Sequence, residues 1–485
     1  MQFANTDFSL GLLTEMFEFS TADAFISAGV QDTVACFDLF FRRIPDKGGF
    51  AIAAGLSQVI DALKNLRFTE ADLAYLKSEG CSEALLSYLR DFQFHCDVWA
   101  IPEGTPVFPN EPIVKVRGPI IEAQMIETLL LLIINQQSLI ATKANRLVRA
   151  AHGTAVVEFG ARRAPGFDES VYGSRAAYIG GCAATSGITP AKEFGIPLAK
   201  TMLHSWVQLF DDEYEAFCSY AKANPDDCSL VVDTYDTLKS GIPNAIRAFD
   251  DVLLPLGKRP KSIRIDSGDI TYLSMKARKM LDAAGYADCN IMASNGMDEN
   301  IITEMVSQGA KVDGFIAGER LITSASSPVF DGVYKLCAIA KEGRLIPKIN
   351  LSENVHKITI PSSKQVYRLF DMESGKAIAD LLATDSEEID ETKPYELFDP
   401  DYTWKRKEIE NFVARPLLQP IFKKGELCYK EPTLSAIRDY CAEQVDTLWD
   451  EVKRFENPHK YYVDLSPKLW DLRNLLIEDY KGVRK

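Results

Sequence analysis

The chain has 485 residues, 46% of them hydrophobic and 25% charged, with a formal net charge of −15. A length of this order implies two or three domains and an ample apolar core. The acidic balance excludes an extended nucleic-acid face, which needs clustered Lys and Arg, but not small phosphorylated ligands held by a few local cations.

In chain order, the opening MQFANTDFSLGLL has no basic segment and no cleavage site, so no signal peptide is expected. Phe50–Leu63 predicts a helix, Cys96–Ile101 and Ile113–Val116 short strands, and Ile120–Val148 a long helix. The longest apolar run in that helix, Leu129–Ile134, is too short to cross a bilayer. These elements form an expected N-terminal mixed α/β domain, residues 1–145.

Beyond residue 150 short apolar runs recur, at Ala155–Phe159, Ser229–Val232, Ser262–Ile265, Asn290–Ala293 and Val312–Ala317. Each leads through a polar or Gly-containing turn into a helical pattern. In Ile270–Ala284, for example, Ile270, Leu273, Ala277, Leu281 and Ala284 share one stripe. Repeated strand–helix units imply a parallel sheet. Carboxylates, Ser, Asn and Gly gather just after the strands, and an α/β barrel over 146–345 places them together on its active face. A doubly wound sheet also binds ligands at strand ends and stays open as the alternative. From residue 346 the pattern becomes short strands, an acidic segment (Asp385–Glu391) and an amphipathic helix (Leu434–Phe455). Residues 346–485 are expected to pack on the N-terminal domain.

The ten cysteines form no Cys-x-x-Cys pair and stand at no zinc spacing from a histidine. The reading is a chain of reduced thiols in a cytoplasmic setting, with no metal site built from protein ligands alone.

Chemistry is concentrated in four segments. Arg264 and Asp266 lie two residues apart, hence on one face of a strand end. There they can hold an anionic group and a ribose hydroxyl or a metal. Asp269, just before Ile270, reads equally as a helix cap. Glu158-Phe159-Gly160 opens onto Arg162 and Arg163, side chains suited to forked phosphate contacts, with Phe159 able to stack on a flat ring. His204 follows a strand-like segment and reads either as a phosphoryl acceptor or as a structural histidine. Gly314–Gly318 can offer backbone N–H groups to a phosphate.

In this order the segments resemble the nicotinate phosphoribosyltransferase family in its longer bacterial form. The resemblance runs nearly end to end. It is carried by LLTEMFEFS (Leu12–Ser20), GGFAIAAGL (Gly48–Leu56), GSRAAYIGG (Gly173–Gly181), VDTYDTLKSGIPNAI (Val232–Ile246), RIDSGDITYLS (Arg264–Ser274), VYKLCAI (Val333–Ile339) and PTLSAIRDY (Pro432–Tyr440). It implies an irregular TIM-like α/β barrel plus a mixed α/β domain built from both chain ends, the type II phosphoribosyltransferase arrangement. It also implies a homodimer with shared active sites, no membrane and no nucleic-acid partner.

The implied reaction joins nicotinate to phosphoribosyl pyrophosphate with Mg²⁺, driven by ATP hydrolysis through a phosphohistidine. By position, His204 matches the phosphorylated histidine. Asp266 matches the aspartate near the base and ribose, with Asp269 of the same segment a further catalytic candidate, and Arg264 matches the partner of the nicotinate carboxylate. Phe159, and Phe17 of the partner subunit, match the rings on either side of the base. Arg162, Arg163, Thr185, Ser294, Asn295, Gly318 and Glu319 lie in the segments that bind the rest of the substrates.

Several positions depart from the family pattern. Lys200 precedes Thr-x-x-His in place of glycine, Gly296 follows Ser-Asn in place of aspartate, and the phosphate loop, usually Gly-x-Gly-Thr, reads Ile316-Ala317-Gly318-Glu319. Two like charges about 4 Å apart repel by about 4 kcal/mol at an effective dielectric of about 20. Either Glu319 turns away, or Lys200 or Arg320 neutralises it, or the ligand lacks a 5′-phosphate. The last case leaves open a diverged paralogue acting on a related base or unphosphorylated nucleoside, or a non-catalytic binding protein.

Overall fold

Six short parallel strands run through the middle of the chain: β1 (Ala155–Glu158), β2 (Ala184–Thr185), β3 (Ser229–Val231), β4 (Ser262–Ile265), β5 (Asn290–Ala293) and β6 (Gly314–Ala317). A computed structural model describes residues 9–354, 357–400 and 402–480. The strand order is β2-β1-β6-β5-β4-β3, and every pairing within it is parallel. The first strand therefore pairs with the last, while β3 to β6 neighbour one another in sequence order. That cyclic order belongs to a barrel, not to a doubly wound sheet, whose strand order reverses at a central point. The barrel is irregular, since no ladder joins β2 to β3 among the described residues. Leu198 bridges onto Thr185 beyond β2.

The strands are mostly apolar because both faces are covered, and the polar residues that β4 does carry, Ser262 and Arg264, are buried. All four residues of β4 and of β6 are buried. Helix Ile270–Ala283 shows how the outer layer is made. Asp269 caps it, Ala277 and Leu281 are buried, and Ile270 and Leu273 pack against the same core. The expected stripe holds except at its end: Ala284 lies past the last turn, and Gly285, with φ 83°, takes the chain away.

By contact density the chain divides into two compact units, one made of residues 140–328 and the other of 1–139 with 329–485. The second boundary falls earlier than the expected 345. Strand Gly332–Lys341 pairs antiparallel with Val34–Phe41 and is already part of the other unit's sheet. Periodicity marks that run as apolar but says nothing of its partner.

The unit made from both chain ends holds a seven-stranded antiparallel sheet. It also holds a four-stranded sheet of Phe412–Pro416, Lys364–Asp371, Ala377–Thr384 and Tyr462–Leu465. Arg368 is fully buried there, bidentate on Asp380 at 2.8 and 2.6 Å and bonded to the Pro106 carbonyl. Buried charge of this kind is tolerated only when paired. The predicted helix Phe50–Leu63 is instead a short strand, Ala51–Ile52, paired with Pro106–Val107, then a turn at Gly55 (φ 108°), then a helix Leu56–Asn65. The expected helix Leu434–Phe455 stops at Thr447. The helical stretch Ile120–Ala150 has enough length and apolar character to cross a membrane, but two thirds (67%) of its apolar window is buried inside the protein, as in a core helix.

Candidate active site

The site is built where the parallel strands end. β3 and β4 are in register, Val231 opposite Arg264, so the residues two steps further on, Asp233 and Asp266, leave the sheet together. Asp233 is nearly inaccessible, its side chain only 1% exposed. One of its oxygens accepts the Asp266 backbone N–H at 2.8 Å and the Ser267 hydroxyl at 2.7 Å. The other has no hydrogen-bond partner. One strand along, Ser294 follows β5 and is buried. Its hydroxyl donates to Asp266 Oδ1 and accepts from Arg264 Nε at 2.8 Å. Arg264 Nη2 also donates to Asp266 Oδ1, at 2.7 Å.

Three side chains from two strands and the following turns are thus locked into one triangle, with Arg264 only 8% exposed. Burial by itself raises the Asp266 carboxyl. The Ser294 hydroxyl and the Arg264 guanidinium outweigh that and hold it below the usual carboxylate range.

His204 begins the short helix His204–Gln208. Its Nδ1 lies 3.2 Å from the Thr234 hydroxyl, and its Nε2 lies 3.7 Å from Asp266 and 3.9 Å from Asp233. The imidazole is 38% exposed, so it meets both solvent and two carboxylates. It is not a histidine buried in an apolar core.

Around β1 the geometry separates supporting groups from exposed ones. Glu158 is buried and accepts from Ser174 at 2.7 Å, Thr185 at 2.6 Å and the Gly160 N–H. Thr185 is itself fully buried and spends its hydroxyl on Glu158, while accepting from Gly187 N at 3.0 Å. In this state it shapes the loop. Phe159 is half-buried, and Arg162 and Arg163 are exposed. Asp269 caps its helix through the Tyr272 N–H at 3.0 Å and is otherwise exposed. Asn295 adopts φ 85° and Gly296 φ 59°. Asn tolerates that left-handed region better than most side chains. Phe17 lies in the helix Met16–Ser27 of the other unit and is 48% exposed.

The charge of Glu319 is met by neither cation expected for it. Lys200 faces Asp227 at 3.7 Å, and Arg320 is paired with Asp298. It is Arg163 whose Nε lies 3.7 Å from Glu319. The loop after β1 runs beside the loop after β6, with Phe159 N donating to Ala317 O at 2.7 Å. Asp233, Thr234 and Glu158 are contributors that sequence reasoning noticed only as strand ends. The available signal for Asp233 was its position directly after a strand, matching that of Asp266.

No group of three or more His, Cys, Asp or Glu side chains suited to a metal occurs among the described residues. Asp233, whose Oδ1 makes no hydrogen bond but faces His204 Nε2 at 3.9 Å, and Asp266 offer two carboxylates. Mg²⁺ takes such a pair together with substrate phosphates. A cavity of about 730 Å³ in the other unit, lined by Phe108, Tyr461, Lys47 and Lys460 among others, shares no residue with this constellation.

A cyclic parallel barrel with an anchored Arg–Asp–Ser triangle and a histidine at its mouth, in a chain that also forms a unit from both its ends, is the type II phosphoribosyltransferase architecture. The crystal structure of human nicotinic acid phosphoribosyltransferase superimposes with a TM-score of 0.84 at 28% identity, covering 96% of this chain and all (100%) of that one. A nicotinate-nucleotide pyrophosphorylase from Pyrococcus furiosus shares the fold, with a TM-score of 0.69 over 92% of this chain and 98% of its own. Residues 12–135 match the nicotinate phosphoribosyltransferase N-terminal domain, and residues 363–473 the C-terminal domain. A nicotinate phosphoribosyltransferase of Bacillus subtilis is 42% identical over 99% of this chain and 98% of its own. The chain belongs to the nicotinate phosphoribosyltransferase family.

Proposed function

We propose that the protein joins nicotinate to phosphoribosyl pyrophosphate, giving nicotinate mononucleotide and pyrophosphate, in the cytoplasm. The observation that carries this reading is the Arg264–Asp266–Ser294 triangle. It presents an immobilised guanidinium to an anionic ring substituent, beside a carboxylate kept ionised to face developing positive charge on the ribose. Phe159 offers its ring to one face of the base and Phe17 of the partner subunit to the other. Arg162 and the Asn295 and Gly318 loops take the phosphates. The Arg163–Glu319 contact partly offsets the charge that Glu319 brings to this loop, and the whole-chain likeness to nicotinate phosphoribosyltransferases favours this activity over a nucleoside-directed or non-catalytic paralogue.

His204 serves as phosphoryl acceptor from ATP. Its attack on the γ-phosphorus releases ADP, and water later releases the phosphate after pyrophosphate has formed. Asp233 and Asp266 at the Nε2 edge and the Thr234 hydroxyl at Nδ1 orient the imidazole, whose exposed part admits the phosphoryl group. Mg²⁺, carried on substrate phosphates, would rest on Asp233 and Asp266 and supply charge neutralisation. The exposed apolar side chains Phe167, Ile188 and Leu209, each at least three-quarters accessible, support a homodimer.

The test is nicotinate mononucleotide formation by the purified protein with nicotinate, phosphoribosyl pyrophosphate, Mg²⁺ and ATP. Arg264→Gln is expected to raise KM for nicotinate by about 100-fold, the scale of losing a charge-assisted bidentate contact. No product from the unmodified protein, together with no binding of phosphoribosyl pyrophosphate by calorimetry, would overturn the reading.

A further inference from the structure

The ion pair between Arg163 and Glu319 does no structural work that the fold requires. Arg163 ends the turn Ala161–Arg163 after β1, and Glu319 begins the short helix Glu319–Ile322 after β6. The two loops leave neighbouring strands, and a Cβ at Gly318 would come within 3.2 Å of the Phe159 carbonyl. Both side chains stay largely in solvent, 63% and 61% exposed. Exposed pairs of this kind are weak. Of the other cations considered for Glu319, Arg320 pairs with Asp298 and Lys200 with Asp227. A carboxylate therefore stands at the first residue of the short helix Glu319–Ile322 after β6, on an arginine whose fork also fits a phosphate.

We propose that Glu319 is a specificity-setting residue. Its carboxylate occupies Arg163 in the free protein and is exchanged for the 5′-phosphate when the phosphoribosyl substrate binds. This rests on the reading of the site given above. Exchange is feasible because a phosphate monoester brings up to two charges and three acceptor oxygens against one carboxylate. The cost falls on every phosphate-bearing ligand. The empty site then holds stray inorganic phosphate poorly, and a full substrate, which also engages the Arg264 triangle, displaces Glu319.

The experiment compares the unmodified protein with Glu319→Gln, Arg163→Gln and the double variant. It reads KM for phosphoribosyl pyrophosphate and for nicotinate at saturating partner substrate, and calorimetric binding of ribose 5-phosphate. Glu319→Gln is expected to lower KM for phosphoribosyl pyrophosphate and Kd for ribose 5-phosphate by about threefold or more, the scale of an exposed ion pair. KM for nicotinate stays unchanged. Arg163→Gln raises both phosphate-dependent constants and shrinks the effect of Glu319→Gln. A Glu319→Gln variant with unchanged or weaker phosphate binding overturns the exchange. If the unmodified protein makes no product, the proposed activity fails, and the ribose 5-phosphate titrations still decide the role of Glu319.

Discussion

Asp233 accepts hydrogen bonds from the backbone of Asp266 and the hydroxyl of Ser267, so it fixes where Asp266 stands with respect to His204. Displacing a reacting group by about 1 Å costs on the order of 100-fold in rate. Asp233→Ala is therefore expected to lower kcat by about 100-fold while KM for nicotinate stays near its original value, because Arg264 keeps its bond to Ser294. Steady-state kinetics decide this, and a kcat within twofold of the parent would refute it. Asp266 is the companion case: its carboxyl is held below the usual range, so its ionised form is favoured in the fold. That contribution is fully present above the ordinary carboxylate range and is lost as pH falls through the folded value. At this scale Arg264 and Asp266 were legible in the sequence because a spacing of two on a strand defines a face. The Arg163–Glu319 pairing was not, since its partners are 156 positions apart by their residue numbers and meet only because β1 lies beside β6.

The turn from β3 into the next helix shows what an element demands of its residues. Asp236 caps it through the N–H groups of Leu238 and Lys239, and Thr237–Gly241 winds as a π turn before helix Ile242–Ala248. π turns often mark functional sites, and this one begins four residues after Asp233. It closes against the strand at Gly241, where a Cβ would stand 1.8 Å from the Val232 carbonyl oxygen. Backbone cannot yield as a side-chain tip can. Gly241→Ala is expected to cost about 1–3 kcal/mol, the scale of overpacking. It should also lower kcat by moving Asp233. Chemical denaturation measures the first, and a variant as stable as the parent would show that the turn relaxes freely. The sequence showed the strand before this turn by its apolar run. It did not show the π winding, because hydrogen-bond pattern within a turn leaves no periodic mark.

Over the whole molecule, stability carries a pH dependence from the unit made of both chain ends. Asp464, in strand Tyr462–Leu465, is buried with one oxygen lacking a partner. Burial, with the nearby Asp399 charge, pushes its carboxyl up to about 7. The folded state therefore binds a proton that the unfolded chain releases near pH 4. The stability this contributes is complete below the unfolded value and is lost as pH rises through about 7. Asp464→Asn is expected to raise Tm at pH 8 by about 2–4 °C over the parent, with the difference gone at pH 4. Thermal melts at the two pH values test this, and equal gains at both would exclude Asp464 as the source.

The sequence by itself determined the family, the alternation of strand and helix, and the placing of acidic and hydroxyl residues after each strand. These follow from local periodicity and from motifs contiguous in the chain. Tertiary structure alone decided the cyclic strand order, with β1 against β6, and the return of Gly332–Lys341 to the other unit. It alone showed that Thr185 is spent on Glu158, and that Arg163 rather than Lys200 or Arg320 meets Glu319. Each of these depends on which strands pair and which loops then lie side by side. Backbone hydrogen bonds between distant segments fix those choices, and a pattern of residue types along one chain does not encode them locally.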